Sequence, residues 1–176
     1  MLETVMYLRR AIAPDEGSIH ELFCVPEVFE YLADGQEPPP SIASEWIHSA
    51  AADAAQYVGG LWVLVSCTDQ TVSGVVRLAG DNTGKLELIY LLHPTLWGQG
   101  LATRMAHTVM AQAFATGLAS TIWAGADAPN TRSIAVMQRL GMQFWREVQY
   151  PLGTGMEYQM PVVKFDPARI ELLPIA

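Results

Sequence analysis

The stretch Glu87-Leu88-Ile89-Tyr90-Leu91-Leu92-His93-Pro94-Thr95-Leu96-Trp97-Gly98-Gln99-Gly100-Leu101-Ala102 constrains the fold of this chain more than any other. An apolar run of strand length meets a proline, then a loop with two glycines one residue apart. A helical pattern follows, in which Leu101, Met105 and Val109 recur at every fourth position. Gly117 closes that helix, and Ser120 to Gly125 is apolar again. Strand, loop, helix and strand make a crossover unit, so the two strands should be parallel. The glycines let backbone approach a ligand closely. The helix start offers unpaired N–H groups and the positive end of a dipole, which suits a phosphate. The competing reading is a tight connection that only lets helix and sheet pack.

The remaining chain builds a sheet around this unit. Val5 to Arg10 reads as a first strand, and Pro14-Asp15-Glu16 opens a helix with the apolar stripe Ile19, Leu22 and Phe23. Val28 to Leu32 reads as a short helical piece. The three prolines at 38–40 mark a loop, and Ser41 caps a helix through Trp46 and Ile47 to about Tyr57. Leu61 to Cys67 and Thr71 to Leu78 form a hairpin, and Asp81 to Gly84 turns into the strand from Lys85 to Leu92. After a turn at Asp127 to Asn130, a helix spans Thr131 to Leu140. Met142 to Tyr150 and Met156 to Phe165 read as strands joined by a turn at Pro151 to Gly155. The expectation is an α/β (α+β) fold in one domain over residues 1–176, its core at about 4–165. It has a central mixed, twisted sheet of about six to seven strands with helices on both faces.

Composition narrows the function classes. Of the 176 residues, 51% are hydrophobic and 16% charged, which excludes a disordered chain. The net charge of -8 disfavours nucleic acid and anionic membranes as partners and is compatible with a cationic amine. Cys24 and Cys67 stand far apart in apolar surroundings, so free buried thiols are expected, with no disulfide framework and no metal site. No basic segment leads an apolar run at the start, and no run is long enough to span a bilayer. A cytoplasmic protein is the default expectation.

A second motif stands with the glycine loop: Asn130-Thr131-Arg132-Ser133-Ile134-Ala135-Val136-Met137-Gln138-Arg139-Leu140-Gly141-Met142. With both in place, the chain resembles the GCN5-related N-acetyltransferase (GNAT) superfamily, and more narrowly its ribosomal-protein-alanine N-acetyltransferase branch. The matches are Glu87, Tyr90, Pro94, Trp97, Gly98, Gly100, Ala102 and Thr103, then Asn130, Ser133, Val136, Leu140, Gly141 and Met142. The order of elements agrees from Leu8 to about Val163. The resemblance implies acetyl-CoA as co-substrate. Its pantetheine would lie along the strand at Leu91 and Leu92, and its pyrophosphate on Trp97, Gly98, Gln99, Gly100, Leu101, Ala102 and Thr103. Where much of the superfamily begins this loop with Gln or Arg, this chain has Trp97, so main-chain donors and Gln99 would carry the cradle. Arg104 is the nearest cation, and a solvated helix charge is its better reading. Members of the branch are often monomers or homodimers.

The implied reaction is acyl transfer from a thioester to an amine, so a proton must leave the nucleophile and an oxyanion needs a donor. Backbone N–H near Leu91 or Leu92 could be that donor. Glu87 is the candidate base, since a carboxylate in an apolar strand has its pKa raised by desolvation; a solvated strand residue is the alternative. Ser133 is the candidate hydroxyl near the sulfur, against a serine that only satisfies helix backbone. Asn130 would fix the turn or bond the pantetheine. The superfamily's tyrosine acid is replaced by Met137, and Tyr90 reads as packing. Trp46, Trp62, Trp123 and Trp145 read as core or pocket wall.

The acceptor pocket should come from the Phe23–Trp46 helices and the Tyr150–Met156 turn, where Glu27, Glu30 and Glu37 could attract a cation. A small molecule or a protein N-terminus would each fit as the amine. A non-catalytic acyl-CoA-binding domain is the competing function; it would gain if Glu87 faced solvent and no acceptor cleft opened. A dinucleotide-binding fold is excluded, because the glycine pair lies in mid-chain and lacks the third glycine.

Overall fold

The computed structural model describes residues 5–32, 35–56, 59–80 and 83–176, with residues 55 and 56 as backbone only. Its strands are β1 (Met6–Arg10), β2 (Gly60–Ser66), β3 (Val72–Gly80), β4 (Lys85–Leu92), β5 (Thr121–Asp127), β6 (Gln143–Tyr150) and β7 (Gly153–Pro161). Its helices are α1 (Glu16–Phe23), α2 (Pro26–Phe29), α3 (Ile42–Gln56), α4 (Leu101–Ala115) and α5 (Thr131–Arg139). The strands form one mixed sheet in the order β1-β2-β3-β4-β5-β7-β6. Neighbours are antiparallel except β4 and β5, which are parallel as the crossover unit requires.

The sheet separates two apolar layers. On one face Ile19, Leu22, Phe23, Val28 and Ala43 of the early helices pack on Leu61, Val63, Val65 and Val75. On the other, Met105, Val109 and Met110 of α4 and Val136 and Met137 of α5 pack on Leu64, Leu78, Leu88 and Ile122. A strand covered on both sides reads as an unbroken apolar run, and β2 is buried at all its positions for this reason. At the start of the chain, Arg9 clasps Asp15 through two 2.7 Å hydrogen bonds and ties β1 to the turn before α1. Among the described residues no helix is long and apolar enough to cross a membrane.

One break in the sheet matters for everything below. β4 and β5 pair only at Lys85↔Thr121, Leu86↔Ile122 and Glu87↔Trp123. β4 then stays with β3 as far as Leu92, while β5 stays with β7 as far as Asp127. Past Glu87 the two parallel strands part, leaving a wedge through the sheet.

Several expectations need correction. The turn between the last strands is only Pro151-Leu152: β7 already begins at Gly153, and it ends at Pro161, followed by a 3-10 turn at Val162–Lys164. The glycines at 153 and 155 belong to a strand. Cys67 is exposed in the turn after β2, and Cys24 is half-buried at the end of α1, so neither is a core thiol. Trp145 lies exposed on the edge strand β6, with the Arg146 guanidinium 4.1 Å from its ring centroid. Tyr57 and the turn residues Asp81 and Asn82 fall outside the described residues. The tail, unassigned by pattern, has a defined path. Arg169 Nε donates to the Arg139 carbonyl, Leu173 is buried with its N–H on Thr108 Oγ1, and Ile175 bridges Leu8 of β1.

Candidate active site

A cleft of about 1040 Å³ runs through the wedge. One end is walled by the loop after β4 and the first turns of α4 and α5; the other by α2, β4 and the β6–β7 turn. Each end is built by different means.

At the first end the backbone does the work. Gly98 and Gly100 have φ of 77° and 74°, a conformation that costs glycine little and a branched residue much. A Cβ at either would meet nothing within 4 Å, so both face open space. Gly100 is the N-cap of α4, and no side chain caps that helix. The N–H groups of its first turn therefore remain for an anion. Thr103 in that turn is buried, and its hydroxyl has no partner among the described residues. An uncapped helix start, open space over two glycines and an unspent hydroxyl fit a pyrophosphate. Trp97 braces the loop, its indole N–H donating to the Leu92 carbonyl at 2.7 Å. Arg132 lies 4.5 Å over the Trp97 ring, and Arg139 also lines this end. Gln99 is turned away, its amide donating to the Thr95 carbonyl. Arg104 is occupied by Glu171 of the tail, as a surface helix charge.

The β4 wall sits between. His93 N–H donates to Ser73 O at 2.8 Å. Bonding alternates along an antiparallel ladder. Leu91 N–H therefore turns toward β3, and Leu92 N–H turns into the wedge. Tyr90 projects to the α4–α5 face, where its hydroxyl donates to the Ser133 carbonyl at 2.9 Å and stands 2.8 Å from Ser133 Oγ. The carbonyl can only accept, so the phenol proton goes there. The Ser133 hydroxyl keeps its own proton to donate. Burial raises the Tyr90 pKa far above its usual value, so this phenol stays protonated. Tyr90 thus bonds as well as packs. Ser133 N–H is held at 3.1 Å by Asn130 Oδ1, which caps α5.

At the second end side chains do the work. Glu87 shares the α1–α3 face with Arg77, Trp123 and Gly125 and lines the cleft half-buried. Burial raises its pKa, Arg77 pulls it back, and Glu157 pushes it up again. Glu27 and Tyr31 from the α2 region, Asp127 and Tyr150 complete this end. Glu87 and Ser133 therefore lie on opposite faces of the sheet, and the wedge is the passage between them. Arg132, Arg139, Tyr31 and Asp127 were not singled out from sequence, whereas Tyr150 opens the turn expected to wall the acceptor pocket. For Tyr150 a signal existed: the aromatic just before Pro151 and the two glycines that follow.

Comparisons with known proteins bear on the family and the fold. Residues 6–143 match the family model described as an acetyltransferase (GNAT) domain. A GNAT-family acetyltransferase from Bacillus anthracis superposes with a TM-score of 0.73 at 15% identity, over 90% of this chain and 96% of that one. A ribosomal L7/L12 alpha-N-protein acetyltransferase in complex with coenzyme A gives 0.77 at 15% identity, over 92% and 96%. An aminoglycoside acetyltransferase, also with coenzyme A, gives 0.74 at 17% identity, over 94% and 99%. At these identities the likeness is one of fold.

Proposed function

Because the chain belongs to the GNAT acetyltransferase family, we propose that it transfers the acetyl group of acetyl-CoA directly to a primary amine while both are bound. One observation carries this reading: a single cleft joins the uncapped, glycine-lined loop to a half-buried carboxylate through a break in the sheet. Bound acetyl-CoA supplies an acetyl group activated as a thioester. Gly98, Gly100 and the first-turn N–H groups of Leu101, Ala102 and Thr103 receive its pyrophosphate, and Leu91 and Leu92 line its pantetheine arm. Leu92 N–H is the donor for the charge that develops on the carbonyl oxygen. Glu87 takes the amine proton, directly or through a water; its raised pKa brings it toward the range a base needs at neutral pH. Ser133, whose hydroxyl proton rests on the Tyr90 oxygen, turns it to the departing sulfur.

The reading as a mere acyl-CoA-binding domain would gain from a Glu87 in solvent and no acceptor cleft; a half-buried Glu87 lining a cleft weighs against it. The two coenzyme-A-bound neighbours are named for a ribosomal protein and an aminoglycoside, and the proposal here is a primary amine on a small molecule or a protein N-terminus. The test has two steps. Acetyl-CoA at a hundred times its Kd should stabilise the fold by about 2.7 kcal/mol; no change in Tm at millimolar acetyl-CoA removes the co-substrate. A panel of amines should then release free CoA. Release with none of them, in the presence of a Tm shift, returns the non-catalytic reading.

A further inference from the structure

The α1–α3 face beyond Glu87 carries a feature that acyl transfer alone does not require. Tyr150 closes β6, and its ring lies flat across the sheet rather than standing off it. A Cβ on Gly155 of β7 would collide with the ring, and one on Gly125 of β5 would collide with the phenol oxygen. Two glycines on two neighbouring strands thus clear one path for one side chain. Their register agrees: Gly125 pairs Glu157, and Gly155 pairs both Asp127 and Val148. The ring runs inward along that diagonal to the cleft wall, where Tyr150 is a lining residue together with Glu87.

The end of that path is fixed chemically. Tyr150 O–H donates to Glu157 Oε1 at 3.3 Å, and Arg146 Nε donates to Glu157 Oε2 at 2.7 Å. Glu157 is 4% exposed, so this carboxylate is held in place and unavailable to a ligand. A phenol has one proton, and here it is committed to Glu157. Burial and the Glu157, Glu87 and Asp127 carboxylates push its pKa up to about 12, so that proton is kept. What the oxygen presents to the cleft is lone pairs, an acceptor facing the same space as the Glu87 carboxylate. Two acceptors facing one cleft suit a group rich in N–H.

We propose that Tyr150 binds the acceptor: its phenol oxygen accepts a hydrogen bond from the acceptor's ammonium or amine N–H, opposite Glu87, and so sets amine affinity. This rests on the acetyltransferase reading and adds a residue to it. Tyr150 holds the nitrogen while Glu87 takes its proton.

The test uses Tyr150→Phe, which keeps the ring on its glycine path and removes only the oxygen. The acceptors are putrescine, spermidine, kanamycin and an alanyl tetrapeptide amide, each with saturating acetyl-CoA. For every amine turned over by the unaltered protein, KM for the amine should rise roughly tenfold, the size of a lost hydrogen bond to a charged group. The kcat should stay within about twofold and the KM for acetyl-CoA should not move, while the Tm falls modestly because the bond to Glu157 is lost. Glu157→Gln keeps Glu157's place in the sheet and weakens the hold on the phenol proton, so it should raise amine KM in the same direction and less. An unchanged amine KM in Tyr150→Phe overturns the assignment. So does a loss of equal size in the KM values of both substrates, which is the mark of a packing role. Turnover of none of the four amines, with the acetyl-CoA Tm shift intact, overturns it as well, and absence of that shift sinks the acetyltransferase reading itself.

Discussion

Under the proposed function, the two ends of the cleft solve the same problem, holding a charged group, with different materials. The donor end relies on main chain: glycines at positive φ, an uncapped helix start and an amide turned into the wedge. The acceptor end relies on side chains gathered from four separate places, near α2, on β4, on β5 and at the end of β6. Main-chain donors are fixed once the fold is fixed, and they suit a co-substrate common to a whole family. Side chains can change without changing the fold. The end that sets the partner is thus built from the parts that vary most easily.

Four substitutions can break or sharpen this contrast. Glu87→Gln should lower turnover by roughly 10²- to 10⁴-fold and leave the acetyl-CoA Kd within about twofold, measured by CoA release and by titration. A matching loss of acetyl-CoA affinity would mean that the two ends are not separable. The pH dependence has a definite sign. The Glu87 pKa is raised in the fold, so its contribution to stability is complete below the unfolded value and lost as pH rises through the folded one. Activity needs the carboxylate and climbs over that same window. Glu87→Gln should flatten both curves there, and a rate profile unchanged by it would remove Glu87 as the base.

Gly100→Val comes next. Holding a branched residue at φ near 74° costs about 1–3 kcal/mol, and its side chain would fill the space over the loop. Acetyl-CoA should then bind roughly 100-fold more weakly, read as the loss of its Tm shift. An intact shift would show that the cradle does not rest on backbone. Tyr90→Phe should cost about 1 kcal/mol, a fivefold or so drop in turnover, because it frees the Ser133 hydroxyl to rotate. An effect on amine KM instead would place this pair on the wrong side of the wedge. Arg132→Ala should be mildest: a cation over the half-buried Trp97 ring contributes about 1 kcal/mol, so acetyl-CoA should weaken a few-fold, and less so at high salt.

The same contrast explains what could be read from sequence. The donor end lies within two short segments, Glu87 to Thr103 and Asn130 to Met142, and its requirements leave local marks: paired glycines, a helix period, an Asn placed to cap. The parallel pairing of β4 and β5 followed from the length of the crossover. The acceptor end left weaker marks: Glu27, Glu87 and the turn opened by Tyr150 were each named from sequence, but they meet only through the sheet and share no local spacing. The pair Gly153 and Gly155 misled for a physical reason. Pattern reads clustered glycine as a turn, whereas at Gly155 it opens a strand to a ring from its neighbour. Gln99 misled in another way: it sits at the right place in sequence, but its amide finds a nearer partner in Thr95. Arg104, paired with Glu171, is the surface helix charge that was expected. Cys67 shows that apolar surroundings in sequence do not bury a residue that follows the last rung of a strand.

The bridge between Ile175 and Leu8 sets a schedule for biosynthesis. β1 leaves the ribosome before every other element of the fold. On one side it finds β2 early, but on the other Leu8 N–H waits for the Pro174 carbonyl and the Leu8 carbonyl for Ala176 N–H. Until residues 173–176 emerge, a nascent chain displays an open strand edge and an unfilled seat for Leu173 beside Thr108. An unpaired edge invites other chains, and contacts this far apart in sequence close late. A partly made chain is therefore the form most prone to aggregate, and a partner fused directly after Ala176 would have to be tethered at that edge.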